Sequence, residues 1–145
     1  EIGGEVRCRG LNQKDQVWRI GIQDPRSPSY DAQMAIVQMK DRSLATSGNY
    51  RNFYEKEGKI FAHIVDPRTG YTAYHNLLST SVFAPDCMTA DAYATAFMVL
   101  GLEQSIKIVE ADPNLEAVFI FQTDDELDIY ESTGISEYLQ VLKEQ

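Results

Sequence analysis

Apolar and polar residues alternate along most of this chain, and the alternation predicts strands. Val6 and Cys8 alternate with Glu5, Arg7 and Arg9, the pattern of a half-buried strand. Trp18, Ile20 and Ile22 alternate with Arg19, Gly21 and Gln23. These two segments are expected to pair as a hairpin across the polar loop 10–16. Two prolines make 24–29 a loop, since proline cannot sit in a central strand. The run QMAIVQ over 33–38 reads as a buried strand, Asp41-Arg42 as a turn, and Ser43 to Gly48 as a strand ending in small hydroxyl residues and a glycine. A turn over 56–59 leads to a strand from Ile60 to Val65, and Leu77 to Phe83 is another β run.

The period then changes from two to that of a helix. Met88 to Leu100 is the clearest helix, with Asp86 or Thr89 to cap it and Gly101 placed to close it. Ala92, Ala96, Val99 and Leu100 make its expected core stripe. A second helix, Glu103 to Ala111, stops before Asp112-Pro113. Val118 to Phe121 is a strongly apolar strand, paired with Leu127 to Glu131 across the turn 123–126, and Glu137 to Leu142 is a terminal strand or short helix. The fold class predicted is α+β: a mostly antiparallel sheet with a late helical pair, in one domain spanning residues 1–145.

Composition narrows the picture. Of 145 residues, 43% are hydrophobic and 24% charged, which suits a packed core rather than disorder. A net charge of −9 argues against a general nucleic-acid binder, which needs a basic surface. It does not argue against a nucleotide ligand, whose phosphates need only a metal or a few backbone N–H groups. No apolar run approaches the ~18–20 residues that span a bilayer. Cys8 and Cys87 read as buried or half-buried thiols, and nothing in their spacing supports a disulfide. The chain opens on a strand-like stretch without an initiator methionine, and the expectation is a piece of a longer protein.

Candidate chemistry concentrates between Ala62 and Thr95. Asp66-Pro67-Arg68-Thr69-Gly70 has the residues of a tight turn. It either simply closes a hairpin or points its N–H groups outward as an anion nest, with Arg68 adding charge-assisted bonds to a phosphate. His63 stands three residues before it. His75-Asn76 reads as a surface or capping pair rather than a ligand, and the two histidines lack the partners of a zinc site. Asp91 and Thr95 share a helical face at i and i+4. Both are hard oxygen donors of the kind Mg²⁺ takes, although an acidic residue in a first helical turn is also ordinary. Ser47-Gly48, with Arg51 just after, either lets a planar ligand or a phosphate approach the backbone or makes a simple turn.

Together, IGGEVR, ATSGNYRN, HIVDPRTG followed by HN, and APDCMTADAYATAFMVLG closely resemble the C-terminal part of the ApbE family, the FAD:protein FMN transferases. The resemblance runs over nearly the whole chain in order and spacing, and its HIVDPRTG and ADAYATA segments are quite specific together. It implies a T-fold-like C-terminal portion whose N-terminal half, with a glycine- and lysine-containing segment, has no counterpart here, so that this stretch alone is expected to be inactive. It implies Mg²⁺-dependent cleavage of FAD, with FMN passed to a threonine or serine hydroxyl of an acceptor protein and AMP released. Other members hydrolyse FAD to FMN and AMP, and a non-catalytic FAD-binding module is the further alternative. By the same resemblance Asp91 and Thr95 match the metal ligands. His63 matches the histidine of the H-x-x-D-P-x-T-G motif, a candidate base. Val65 would line the FAD, Asp66 and Gly70 would shape that loop, and Ser47 and Gly48 would lie at the flavin. The family often carries proline after the Thr-Gly pair, where this chain has Tyr71, Thr72 and Ala73. Family members are often exported and lipid-anchored, so the resemblance also implies the periplasmic side of the bacterial inner membrane.

Overall fold

The structure, a computed structural model, describes residues 1–29, 31–49, 53–56, 59–62, 64–73, 75–124 and 126–142, with backbone alone for 53–56 and 59–62. Ten strands and two helices occur in it: β1 (Val6–Arg7), β2 (Trp18–Gln23), β3 (Gln33–Met39), β4 (Ser43–Gly48), β5 (Phe53–Lys56), β6 (Lys59–Ala62), β7 (Leu77–Ala84), α1 (Cys87–Leu100), α2 (Leu102–Ala111), β8 (Glu116–Thr123), β9 (Glu126–Glu131) and β10 (Leu139–Val141). One sheet has the order β1-β4-β7-β8-β9, a second β10-β3-β2, and β5 and β6 pair alone. Every pairing is antiparallel.

The five-stranded sheet is buried on both faces, and its sequence says why. Successive strand residues point to opposite sides, and here both sets are apolar. Ala45, Val82, Ala84, Ala117 and Phe119 face the helices and meet Ala90, Ala94, Phe97, Met98 and Val109. Their neighbours Leu44, Phe83, Val118 and Ile120 face the second sheet and meet Ile22, Ala35, Val37 and Met39. The result is a three-layer stack of helices, sheet and sheet. β3 meets only one core, so its burial alternates along the strand.

The expected hairpin of the first two strands does not form. β1 pairs with β4, placing Val6 opposite Leu44, while β2 pairs with β3 in the other sheet. The loop between them is a closed turn. Asn12 Oδ1 accepts from the N–H of Lys14 and Gln16, and the Asn12 N–H donates to Gln16 O. That turn lets the chain leave one layer and enter the next. Alternation specifies a half-buried face but not which strand covers the edge. Cys8 lies just past β1 in the core between the sheets, where burial pushes its thiol up from its ordinary value.

The chain returns to the second layer through residues 132–138, and two carboxylates hold this crossing. Glu110, at the end of α2, accepts from Tyr130 Oη at 2.9 Å, Thr133 N at 3.0 Å and Thr133 Oγ1 at 2.9 Å. Glu116 accepts from Ser132 Oγ and from Gly134 N. Burial disfavours the charged form of Glu110, yet the bonds from Thr133 and Tyr130 outweigh it and hold its carboxyl below the usual range. A depressed folded-state value stabilises the fold above the unfolded carboxylate range and is lost as pH falls through the folded value. Glu110→Gln is therefore expected to flatten the acid limb of a urea-midpoint-versus-pH curve and to leave its slope near neutrality unchanged.

Candidate functional site

α1 carries the first part of the site. Asp86 caps it, its Oδ1 accepting from Thr89 N at 2.8 Å and its Oδ2 from Thr89 Oγ1 at 3.0 Å. Those two bonds hold the Asp86 carboxyl below its usual value. Gly101 ends the helix at φ 79° and donates its N–H to Phe97 O. The expected core stripe is rotated. Ala90, Ala94, Phe97 and Met98 are the buried residues, whereas Ala92 and Ala96 are exposed. The reason is that the helix is apolar almost all round, so its period leaves the phase of burial open. The exposed face holds Met88, Asp91, Ala92, Thr95 and Ala96. Asp91 is its one charge, and the alanines keep the surface around Asp91 and Thr95 low.

β4 supplies the second part. Its last residues, Ser47 and Gly48, pair with Thr80 and Ser79 of β7. The Ser47 side chain turns toward α1, and Ser47 Oγ lies 3.1 Å from Thr95 Oγ1. Thr80 is fully buried, and its hydroxyl donates to Ala94 O at 2.7 Å. Sequence reasoning missed Thr80. The signal was present in the Ser79-Thr80-Ser81 run, three hydroxyls inside an otherwise apolar strand. Ser79 Oγ is buried without a hydrogen-bond partner among the described residues.

The 66–70 turn is the third part, and it is closed upon itself. Val65 bridges Thr72, and Gly70 takes φ 74°. Asp66 Oδ1 accepts from Arg68 N, Asp66 O accepts from the N–H groups of Thr69 and Gly70, and Thr69 Oγ1 accepts from Tyr71 N. Every N–H from Arg68 to Tyr71 is thus spent inside the turn, which decides between the two readings for the plain hairpin turn. The Arg68 guanidinium also faces inward, with Nη2 2.8 Å from Asp66 Oδ2. That pairing holds the Asp66 carboxyl below its usual range. Asp24-Pro25-Arg26 builds the same motif elsewhere. There Asp24 Oδ1 accepts from Arg26 N at 2.9 Å, and Arg26 Nη2 lies 3.0 Å from Asp24 Oδ2. The motif is local chemistry, so its presence in a site does not make the arginine a ligand. What the turn exposes is Val65 and Tyr71. Ile64, at its foot, is anchored in the same core cluster as Ala90 and Ala94.

His75 is a helix clamp. Its Nδ1 accepts from Leu77 N–H at 3.2 Å, so Nε2 carries the proton and donates to Met98 O at 2.7 Å. Met98 O belongs to the last turn of α1, whose carbonyls have no intrahelical partner. The ring packs on Gly101, where a Cβ would come within 3.4 Å of it. This agrees with the capping reading of His75. His75→Ala is expected to cost about 1–2 kcal/mol, read as a lowered urea midpoint. His63 and Arg51 lie outside the described residues.

The ApbE family profile matches residues 1–119. The chain belongs to the ApbE family. Among curated relatives, an FAD:protein FMN transferase from Vibrio cholerae is 39% identical over 139 residues, covering 96% of this chain and 41% of the relative. One from Treponema pallidum is 35% identical over 150 residues, covering 98% and 40%. The solved flavin transferase ApbE from Vibrio cholerae superposes with a TM-score of 0.78 at 36% identity, over 95% of this chain and 43% of that one. An ApbE protein from Thermotoga maritima gives 0.79 at 31% identity, over 95% and 43%. The chain thus spans about two fifths of the length of the relatives it matches. Within the ApbE fold, the antiparallel sheet and late helix pair expected from the sequence are the elements observed.

Among the described residues, no group of three or more His, Cys, Asp or Glu side chains could hold a metal. A site at Asp91 and Thr95 therefore supplies one carboxylate and one hydroxyl. That donor set fits Mg²⁺, which takes one or two carboxylates and completes its shell with water and phosphate oxygens. It does not fit zinc, which takes three or four nitrogen or sulfur ligands. The Asp91 carboxylate has no hydrogen-bond or ion-pair partner among the described residues.

Proposed function

We propose that this chain contributes the metal-binding and flavin-facing part of an FAD:protein FMN transferase. The enzyme would move FMN from FAD to a threonine or serine hydroxyl of an acceptor protein and release AMP. The observation that carries the reading is the exposed face of α1, where an unpartnered Asp91 carboxylate and Thr95 stand beside Ser47 in a chain of the ApbE family.

In this reading Asp91 and Thr95 hold Mg²⁺, which when bound neutralises charge on the FAD pyrophosphate and on the departing AMP. The chain's own residues do the rest. The low alanine surface of α1 leaves room for the diphosphate beside Asp91. The closed turn presents Val65 to the flavin, with Asp66 and Gly70 keeping the turn in shape. Ser47 and Gly48 border the same ligand at the end of β4. His63, placed by its motif alone, accepts the proton of the acceptor hydroxyl as that oxygen bonds to the FMN phosphorus and the pyrophosphate bond breaks. By family resemblance the full-length enzyme would work on the periplasmic side of the inner membrane.

The test is an incubation of the full-length enzyme that contains this chain with FAD, Mg²⁺ and an acceptor domain carrying a target threonine. The expected result is acceptor that gains covalently bound FMN with one AMP released per FMN. Free FMN in place of bound FMN would instead mean hydrolysis. With His63→Ala, transfer at the unaltered rate would exclude His63 as the base.

A further inference from the structure

Two hydroxyls join the sheet to α1 at the point where Thr95 emerges. Thr80 Oγ1 donates to Ala94 O at 2.7 Å and stands 3.5 Å from Ser47 O. Ser47 Oγ lies 3.1 Å from Thr95 Oγ1. One hydroxyl grips the helix backbone one residue before Thr95, and the other meets the Thr95 hydroxyl itself. Thr80 is fully buried and Ser47 half-buried, while Thr95 is exposed. A rigid side of the bracket therefore faces a solvent-facing side.

We propose that Ser47 is a positioning residue for Thr95, supported from behind by Thr80. This rests on the metal reading given above. A hydroxyl has one proton and two lone pairs. To serve a cation it must turn a lone pair toward the ion and send its proton elsewhere. In this role Thr95 is the donor of its bond to Ser47 Oγ, which leaves the Thr95 lone pairs for the ion. Without Ser47, the Thr95 hydroxyl is free to rotate and to bond the carbonyl four residues back in its own helix, as helical threonines do. Thr80 fixes where α1 sits along β4 and β7, so that Ser47 and Thr95 come within reach of each other. Ser47 thus acts through its side chain on the metal ligand, beyond bordering the flavin.

Partners that orient a metal ligand in this way typically change metal affinity 10–100-fold. The experiment titrates Mn²⁺ into the full-length enzyme that contains this chain and measures free ion by electron paramagnetic resonance, a readout independent of turnover. The unaltered enzyme is expected to bind Mn²⁺ and Asp91→Ala to lose it. Ser47→Ala is expected to weaken binding about 10–100-fold, Ser47→Thr to restore most of it, and Thr80→Val to weaken it in the same direction. A merely structural role for Ser47 would not be rescued by threonine in metal affinity. Wild-type affinity in Ser47→Ala, with Asp91→Ala still losing the ion, would overturn the positioning role and leave the metal reading standing. No Mn²⁺ binding by the unaltered enzyme would overturn the metal reading, and this inference with it.

Discussion

Replacing Asp91 with alanine is expected to lower Mg²⁺-dependent release of AMP from FAD by the full-length enzyme about 10²–10³-fold, the size of effect seen when one preorganised charge-stabilising group is removed from a reacting centre. The reason is that little stands behind Asp91. It is the one charged residue on the exposed face of α1, and the described residues offer no metal-binding cluster to replace it. The fold should not suffer. Asp91 is exposed and makes no bond that the helix needs, and the helix is capped by Asp86 instead. Alanine is also the better helix former. AMP measured by chromatography, beside a urea unfolding curve, checks both halves of this expectation. Asp91→Asn keeps an oxygen donor without its charge and should fall between the two. Unaltered AMP release in Asp91→Ala would remove the metal from this helix face.

Phe97→Ala is expected to give the largest loss of stability, about 3–5 kcal/mol, seen as a fall in the urea midpoint. Phe97 is fully buried. Its ring centroid lies 5.5 Å from that of Tyr93 and 5.6 Å from that of Phe119 on β8, the latter edge-on. It therefore fastens the centre of α1 to the sheet, and its carbonyl also receives the Gly101 N–H that ends the helix. Removing the ring leaves a cavity that two rigid layers cannot close. Phe97→Leu refills part of that volume and should recover a good share of the loss. Because Thr95 lies two residues away on the opposite face, Phe97→Ala should also weaken metal binding through a loosened helix. Asp91→Ala, by contrast, should weaken it with the fold intact.

Much of this arrangement is legible in the residues, for reasons that are local. The 18–23 alternation becomes β2, Asp86 and Gly101 bound α1 as capping chemistry demands, and both Asp-Pro-Arg segments fold into the same self-bonded turn. What stays illegible is non-local. Val6 finds Leu44 across 38 residues rather than the nearer Ile20, because a short amphipathic strand carries no address for its partner. α1 hides Ala90 and Ala94 and exposes Ala92 and Ala96, since alanine fits either face and the deciding contact is Phe97 on Phe119. For the site, Asp91 and Thr95 are visible as an i, i+4 pair. The meeting of Ser47 with Thr95 needs β4 and α1 side by side, 48 residues apart. Of the two readings open at 66–70, the outward nest fails because the Asp66 and Thr69 oxygens take the N–H groups first.

The most direct test of the central claim, a metal-dependent flavin site on the Asp91 and Thr95 face of α1, is a titration of FAD into the full-length enzyme with and without Mg²⁺, read by flavin fluorescence. The account predicts that Mg²⁺ strengthens FAD binding and that Asp91→Ala erases the strengthening while leaving the metal-free affinity in place. FAD binding equally tight with and without Mg²⁺ would contradict it.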